Sequence, residues 1–272
     1  MEMNEEQNTS LALCKQILTG KKKFDASGPL AKGSTSRSIE VPWTASHIKK
    51  GDTLLDIGLS LGSLDCIGML LEAKDRHSVT LEAADIIQPE TVKTRYPEEW
   101  RASVLEVPIA IGDIRTMKLP PERYDVVTCI STIEHIGYDA PSTTMKGSAF
   151  ERPRSREEVN TARDPDVNAK VLDNFHRALK KGGRALITVP MGRGGPIIMR
   201  DSLGFCFSEW EYDGETWQEI IGDARFTPVE VLYFKNSPEG WVRVGSPKDL
   251  SDVTETEDAS GAGLALCALV KN

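Results

Sequence analysis

The sequence lacks any Cys-x-x-Cys pair, and its five cysteines lie far apart in the chain. Structural zinc sites and disulfide frameworks depend on clustered or regularly spaced cysteines, so this spacing indicates neither. Isolated cysteines within apolar runs are usually buried, reduced thiols. The cysteine pattern therefore predicts a cytoplasmic protein, because thiols stay reduced in that compartment.

The chain also lacks long apolar runs and an excess of positive charge. No run approaches the ~20 apolar residues that a membrane-spanning helix needs, and the acidic start MEMNEEQNTS has no basic region typical of a secretory signal. With 33 basic and 41 acidic residues the net charge is −8, whereas nonspecific nucleic-acid binding normally requires a basic face. We therefore expect neither a membrane nor a nucleic acid as a partner.

Short apolar runs alternate along the chain with segments of helical periodicity. Seven segments have the pattern of strands: 53–58, 78–86, 106–114, 124–132, 184–190, 226–235 and 263–271. Helical patterns such as 63–74 and 166–183 separate most of them, which predicts a doubly wound α/β fold with a mostly parallel sheet. No helical pattern separates the last two strands. We expect these two to form a terminal antiparallel hairpin at the edge of a seven-stranded sheet.

Three segments fall outside this alternation. Residues 10–19 predict a short helix, and residues 25–47, rich in Gly, Ser, Thr and Pro, predict an irregular cover. Residues 138–165 are polar and contain Pro, Gly and several arginines, which indicates a long loop or lid. The chain is therefore expected to comprise an N-terminal arm (1–47) and a main domain (48–272) that carries this lid-like insert.

Acidic residues and glycines follow several of the predicted strands. In an open α/β sheet, ligands bind outside the carboxyl ends of the strands. The first such end, DIGLSLG (56–62), contains no lysine, so it is not a phosphate-binding loop of the GxxxxGK[ST] type. Asp56 favours a cation there, Asp85 or Glu82 can accept from ribose hydroxyls, and Asp113 can accept from an adenine amino group. The pattern predicts a site for a positively charged nucleoside.

With these residues in place, the chain resembles the class I S-adenosylmethionine-dependent methyltransferases. Asp56, Gly58 and Gly62 match the first family motif, D-x-G-x-G-x-G, with Ser60 in place of its middle glycine. The segments GDIRTMKLPPERYDVVTCISTIEHIG (112–137), ALKKGGRALITVP (178–190) and SRSIEVPW (36–43) resemble later motifs and an N-terminal arm. The resemblance covers residues 36–271. It implies a Rossmann-like methyltransferase fold and S-adenosylmethionine as the cofactor.

The resemblance also implies roles for individual residues. Asp56 is expected to orient the loop and face the amino or sulfonium end of the cofactor, and the Ser60 hydroxyl to donate to the cofactor carboxylate if its φ is negative. Asp85 is expected at the ribose, because DIIQP (85–89) resembles the family's D-I-x-P segment, with Glu82 as the alternative. The remaining expected contacts are Asp113 and Ile114 at the adenine, Arg37 at the cofactor carboxylate, Gly58 and Gly62 in the loop, and Ser131 after the fourth strand.

Glu134 and His135 follow the fourth predicted strand, where the resemblance places the transferable methyl group. A histidine there can act as the general base that takes a proton from an attacking hydroxyl or amine. A structural histidine that hydrogen-bonds to the lid is the alternative. One histidine among scattered acids provides no ligand cluster, so we expect no metal site.

The predicted substrate is a small molecule. STIEHIG (131–137) resembles a subgroup associated with sugars, glycans and secondary metabolites, and the D/N-P-P-Y/F motif of amino-methylating nucleic-acid enzymes is absent after the fourth strand. The arginines of the insert, Arg152, Arg154, Arg156 and Arg163, could recognise an anionic, sugar-like substrate. A catalytically silent methyltransferase-like binding or scaffold protein is the second interpretation. A nicotinamide-dependent enzyme is disfavoured, because GxGxxG and Tyr-x-x-x-Lys are both missing.

Overall fold

A computed structural model describes residues 2–27, 34–137, 163–200, 206–253 and 262–272. Its helices are α1 (Glu5–Leu18), α2 (Arg37–His47), α3 (Leu64–His77), α4 (Glu98–Leu105), α5 (Val167–Ala178) and α6 (Gly214–Ile221). Its strands are β1 (Thr53–Ile57), β2 (Thr80–Asp85), β3 (Ile109–Ile111), β4 (Tyr124–Ile130), β5 (Leu179–Pro190), β6 (Gly195–Arg200), β7 (Cys206–Glu211), β8 (Phe226–Ser237), β9 (Gly240–Val244) and β10 (Gly263–Lys271).

The central sheet has the order β3-β2-β1-β4-β5-β10-β8-β9. Strands β1 to β5 run parallel, whereas β10 is antiparallel to both of its neighbours, β5 and β8. The doubly wound, mostly parallel α/β prediction is confirmed. One detail differs: in the described residues the sheet has eight strands, not seven, because β9 folds back on β8 and forms the edge. The predicted antiparallel pair β8–β10 therefore lies inside the sheet.

Helices cover both faces of the sheet, because its central strands are apolar on both sides. β4 reads YDVVTCI, and all of its residues except Asp125 are buried. One hydrophobic cluster joins the sheet to α1, α2 and α3 through residues such as Cys14, Trp43 and Met69. A second joins the opposite face to α5 and α6 through residues such as Phe175 and Trp217. This layering explains why continuous apolar runs marked the strands.

The N-terminal arm is more helical than predicted. α1 begins at Glu5, because Asn4 and Gln7 cap it reciprocally, with Gln7 N donating to Asn4 Oδ1 at 2.8 Å. The prediction of an irregular cover over 25–47 is wrong for its second half, where α2 forms despite Pro42. The residues of α2 from Ile39 to Ala45 are buried, so tertiary packing outweighs the local composition.

A two-stranded hairpin, β6–β7, was not predicted. It lies between β5 and α6, and its register pairs Gly195 with Glu211 and Ile197 with Glu209. In the part of β7 whose side chains the structure describes, Glu209 and Glu211 are buried, although hydropathy assigns them to the surface. The strand therefore lacks the alternation that reveals most half-buried strands.

None of the helices in the described part of the chain combines the length and the apolar character needed to cross a bilayer.

Candidate functional site at the carboxyl ends of the parallel strands

The turn after β1 depends on Gly58. Gly58 has φ +95°, in the left-handed region, and its N–H donates to the carbonyl of Ala84 at 3.0 Å. A Cβ at this position would lie 2.8 Å from Cγ2 of Thr132, which follows β4. The next three residues, Leu59–Leu61, form a 3-10 turn, and Gly62 N closes it on the Leu59 carbonyl at 3.2 Å. The loop thus lies directly against the end of β4.

Ser60 tolerates the position of the family's middle glycine because its φ is not positive. We predicted that its hydroxyl donates to the cofactor carboxylate, but in this structure the hydroxyl makes a different hydrogen bond. Ser60 Oγ donates to the Ile87 carbonyl at 2.7 Å, and the side chain is fully buried. The Tyr96 hydroxyl donates to the Ser60 carbonyl at 2.9 Å. Ser60 therefore fastens the β1 loop to the segment after β2.

Asp85 lies at this loop, and Glu82 does not. Asp85 Oδ2 accepts from Ser60 N at 2.8 Å, and Oδ1 accepts from Ile87 N at 2.9 Å. Each carboxylate oxygen can accept a further hydrogen bond, so these contacts leave Asp85 able to bind a hydroxyl. Glu82 instead contacts Arg123 and accepts from the Tyr124 hydroxyl at 2.8 Å, at the opposite end of β4. The geometry brings Asp85 to the glycine turn and keeps Glu82 away from it.

Asp56, the last acidic residue of β1, is buried among polar groups of the sheet. Its Oδ1 accepts from the Thr128 hydroxyl at 2.6 Å, and its charge interacts with that of Asp85. Burial raises the pKa of Asp56 to about 7, although the Thr128 hydrogen bond acts in the opposite direction. Burial also raises the pKa of Asp85, partly offset by the two backbone N–H groups. Both carboxyl groups would be stabilised in their ionised form by a nearby cation.

Asp113 and Ile114 follow β3, the next strand outward. Gly112 N donates to the Asp85 carbonyl at 2.9 Å, which ties this turn to the end of β2. The Asp113 carboxylate binds the Arg115 guanidinium through both oxygens, with Nε–Oδ distances of 3.0 Å. Partial burial acts to raise the pKa of Asp113, but the Arg115 hydrogen bonds outweigh it and lower the pKa below its usual range. Ile114 is buried in the second hydrophobic cluster.

Arg37 is paired with a residue that sequence analysis did not single out, Glu40. Arg37 Nη1 donates to Glu40 Oε2 at 3.1 Å, and the Ser36 hydroxyl donates to the same oxygen at 3.0 Å. Glu40 Oε1 accepts from the hydroxyls of Ser131 and of Thr188, the latter at 2.6 Å. Glu40 is fully buried, and it joins α2 to the carboxyl ends of β4 and β5.

Ser131 is held in an unusual backbone conformation at the end of β4. Its φ is +42°, a value uncommon for a residue other than glycine. Its N–H donates to the Thr188 hydroxyl at 3.0 Å, and its own hydroxyl donates to Glu40. These contacts stabilise a backbone that costs on the order of 1–3 kcal/mol. The conformation turns the chain toward Glu134 and His135.

Glu134 and His135 lie in a 3-10 turn, Ile133–His135, that packs against β7. Glu134 is buried, whereas the His135 side chain is 31% exposed. His135 Nε2 lies 3.8 Å from Oε2 of Glu209, which sequence analysis also missed. A buried glutamate in an unpredicted hairpin leaves no sequence signal by which it could have been found.

Arg163 lies against two aromatic residues at the end of β7. Its guanidinium carbon lies 3.8 Å from the centre of the Trp210 ring and 5.8 Å from that of Tyr212. Residues 138–162 of the predicted lid, including Arg152, Arg154 and Arg156, lie outside the described residues. In the described ranges, no three His, Cys, Asp or Glu side chains are grouped so as to hold a metal ion.

Neither a family model nor a curated protein matches this sequence. Solved structures do match. The [4+2]-cyclase SpnF is 12% identical with a TM-score of 0.51, over 97% of this chain and 94% of its own. A SAM-dependent methyltransferase from Methanosarcina mazei is 13% identical with a TM-score of 0.50, over 85% of this chain and 97% of its own. At such identities the likeness shows the fold alone, and it confirms the Rossmann-like methyltransferase fold.

Proposed function

We propose that this chain binds S-adenosylmethionine at the carboxyl ends of β1, β2 and β3 and transfers its methyl group to a hydroxyl or amine of a small molecule. The observation that carries the proposal is the Gly58 turn, where Asp56 and Asp85 lie together without a lysine. A pyrophosphate would be repelled by these carboxylates, whereas a sulfonium or ammonium group would be attracted. The methyltransferase fold adds support for the same cofactor.

The positions of the side chains support individual contacts with the cofactor. Asp85 accepts from the ribose hydroxyls with the lone pairs that Ser60 N and Ile87 N do not use. Ile114 lies against the adenine ring, and Asp113 accepts from its amino group beside Arg115. Arg37 binds the cofactor carboxylate with guanidinium N–H groups other than the Nη1 donor that contacts Glu40. Ser60 acts through the loop backbone, because its hydroxyl bonds to Ile87.

Methyl transfer from a sulfonium needs alignment more than covalent catalysis. The attacking atom, the methyl carbon and the sulfur must lie in line, and holding them so contributes much of the rate. His135, partly exposed beside the end of β4, is the proposed general base, and the buried Glu134 shapes its turn. His135→Ala is expected to lower turnover at least tenfold at unchanged cofactor affinity, since only the proton acceptor is lost.

Isothermal titration calorimetry with S-adenosylmethionine and S-adenosylhomocysteine tests the cofactor. Binding of both is expected, whereas ATP and NAD should give no heat, because their phosphates would face Asp56 and Asp85. Protein that is folded by circular dichroism and yet binds neither adenosyl compound would overturn the proposal. The acceptor can then be sought by adding isotopically labelled cofactor to a metabolite extract and searching for the mass of one added methyl group.

One observation favours a second function, in which the fold does not transfer a methyl group. A [4+2]-cyclase is among the structures most similar to this chain. This fold therefore does not by itself decide the reaction. A protein that binds S-adenosylmethionine but yields no labelled product with any acceptor, and no release of S-adenosylhomocysteine, would support a methyltransferase-like binding or scaffold protein. A small-molecule methyltransferase remains the function that the site supports best, and the scattered cysteines favour a cytoplasmic location for it.

A further inference from the structure

Glu209 places a carboxylate beside the imidazole of His135. Oε2 of Glu209 and Nε2 of His135 are 3.8 Å apart. The Glu209 side chain is only 5% exposed, whereas that of His135 is 31% exposed. One side of the ring thus faces the buried carboxyl group of Glu209, and the ring remains accessible at the end of β4. A distance of 3.8 Å is longer than a hydrogen bond, so the contact is electrostatic in this arrangement.

The hairpin holds Glu209 in place from both sides. Alternation along β7 turns Glu209 and Glu211 inward, and both are buried. Trp210 points to the opposite face of the strand, where the Arg163 guanidinium lies 3.8 Å from the centre of its ring, and the fully buried Tyr212 follows the strand. Pairing with Ile197 on β6 fixes the register of the strand. A shift of one residue would turn Glu209 away from His135.

We propose that Glu209 is the positioning residue for His135: it holds the Nε2 side of the ring and stabilises the imidazolium that forms during methyl transfer. This inference deepens the proposed function and rests on it. The proton of the acceptor hydroxyl or amine passes to Nδ1, the ring nitrogen remote from Glu209. As it does so, the acceptor oxygen or nitrogen bonds to the methyl carbon. The methyl–sulfur bond breaks, and its electron pair stays on sulfur as a neutral thioether.

Other charged groups lie on the same strand and in the same turn, and Glu209 is the one found at the imidazole Nε2. Glu211 lies two residues further along β7, where its carboxylate accepts from Gly194 N at 3.1 Å. Glu134 lies in the same 3-10 turn as His135, and the Arg163 guanidinium lies over the Trp210 ring. The effect of Glu209 must therefore be separated from that of its neighbours. Glu211→Gln provides a matched control, because it changes an equally buried carboxylate on the same strand face.

The test is an ¹⁵N NMR titration of the imidazoles in the full-length, cofactor-free protein, with His135→Asn to assign the signal among the four histidines. In the wild type, the neutral ring of His135 is expected to be protonated at Nε2. Glu209→Gln should lower the midpoint of the His135 titration by about half a unit or more, because the imidazolium loses its anion. Glu209→Asp should recover part of the shift, and Glu211→Gln should leave the midpoint unchanged.

The inference is overturned if Glu209→Gln leaves the midpoint and the tautomer of His135 as they are in the wild type. If this variant does not fold, the wild-type spectrum decides, and a neutral ring protonated at Nδ1 counts against the inference. The two proposals can fail separately, because the titration needs no cofactor. An unchanged midpoint together with normal S-adenosylmethionine binding would overturn only the role of Glu209. The expected midpoint shift without any binding would instead overturn the proposed function.

Discussion

Gly58 and Thr132 pack against each other across the carboxyl ends of β1 and β4. Gly58 has φ +95°, and a Cβ there would lie 2.8 Å from Cγ2 and 2.9 Å from Oγ1 of Thr132. Gly58 belongs to the proposed cofactor loop, and Thr132 is three residues before the proposed base, His135. The contact therefore fixes the distance between the two halves of the candidate site, and only glycine allows it.

Gly58→Ala is predicted to destabilise the protein through two separate effects. The left-handed backbone conformation costs about 1–2 kcal/mol for a residue with a Cβ. Crowding against Thr132 adds about 1–3 kcal/mol, as overpacking does elsewhere. Gly182→Ala is the matched control, because Gly182 has φ +74° with nothing within 4 Å of its Cβ position. Urea denaturation should show a larger loss for Gly58→Ala than for Gly182→Ala. Equal losses would contradict the steric contact.

A double variant separates crowding from strain. Thr132→Gly removes the atoms that a Cβ at Gly58 would meet, so it should recover part of the stability lost in Gly58→Ala. The strain of the backbone would remain. Additive losses in the double variant would show that the two residues do not interact. The affinity for S-adenosylmethionine, measured by calorimetry, should also fall in Gly58→Ala and recover in part in the double variant. Crowding at this contact moves the loop away from the end of β4.

Ser60→Ala is predicted to lower stability without a comparable loss of cofactor affinity. Ser60 Oγ donates to the Ile87 carbonyl at 2.7 Å in a fully buried position, and leaving that carbonyl unsatisfied costs about 1–3 kcal/mol. Ser251→Ala is the control, because Ser251 Oγ makes the same type of bond to the Lys248 carbonyl at 2.8 Å but is exposed. Affinity that falls more than tenfold at unchanged stability would show instead that the hydroxyl binds the cofactor.

The fold could be predicted because its central strands are buried on both faces. β1 and β4 are continuous apolar runs in the sequence, and their order with the helices between them determines the parallel topology. The position of Asp85 could be predicted in the same way, because it is the last residue of β2. Choosing between Asp85 and Glu82 required the register of the sheet, which pairs Glu82 with Leu55 in the middle of β1. Element boundaries are where sequence patterns are weakest.

The unpredicted part of the site consists of buried glutamates and the elements that carry them. Glu40 and Glu209 are residues of a type that composition assigns to the surface, yet both are buried, Glu40 with several hydrogen bonds and Glu209 beside the His135 imidazole. Their partners, Thr188 and His135, are 148 and 74 positions away in the chain, respectively. A local pattern carries no information about such contacts. Arg115 lies only two positions from Asp113, and their pairing depends on the conformation of the turn between them.

Glu40→Gln is predicted to loosen the attachment of α2 to the sheet. The two carboxylate oxygens of Glu40 together accept hydrogen bonds from Ser131, Thr188, Ser36 and Arg37. The substitution replaces one of these oxygens with an amide nitrogen, which cannot accept a hydrogen bond. The expected loss is about 1.5–3 kcal/mol, as for a buried hydrogen bond to a charged group. Amide hydrogen exchange at Ser131 should also accelerate, because its left-handed backbone loses an anchor.

Glu72→Gln serves as the control for Glu40→Gln. Glu72 contacts Arg76 at 3.3 Å and Lys15 at 3.8 Å on the surface of α3, so its loss should change the free energy of unfolding by about 1 kcal/mol or less. Similar losses for the two variants, measured by urea denaturation, would show that the buried contacts of Glu40 contribute no more than the ion pairs of Glu72 with exposed partners. Unchanged exchange at Ser131 would argue that Thr188 alone holds that backbone.

Asp56 should make stability depend on pH. Burial raises its pKa to about 7, from an ordinary value of 3.8, so the folded protein keeps a proton that the unfolded chain releases. Stability from this group is present below about pH 4 and is lost as the pH rises to about 7. Asp56→Asn removes the titration. The wild-type free energy of unfolding should therefore fall relative to that of Asp56→Asn between these values, and a constant difference would contradict the raised pKa.

The same proton should leave when S-adenosylmethionine binds. A sulfonium or ammonium group near Asp56 favours its carboxylate form, so at pH 6 to 7 binding is expected to release a fraction of a proton per cofactor. Calorimetry in buffers with different ionisation enthalpies measures this release as a change in the observed heat. Asp85, whose pKa burial also raises, could contribute, and Asp56→Asn separates the two. If the heat of binding depends on the buffer equally in the wild type and in Asp56→Asn, the proton comes from another group. If no proton is released, the cation does not bind beside these carboxyl groups.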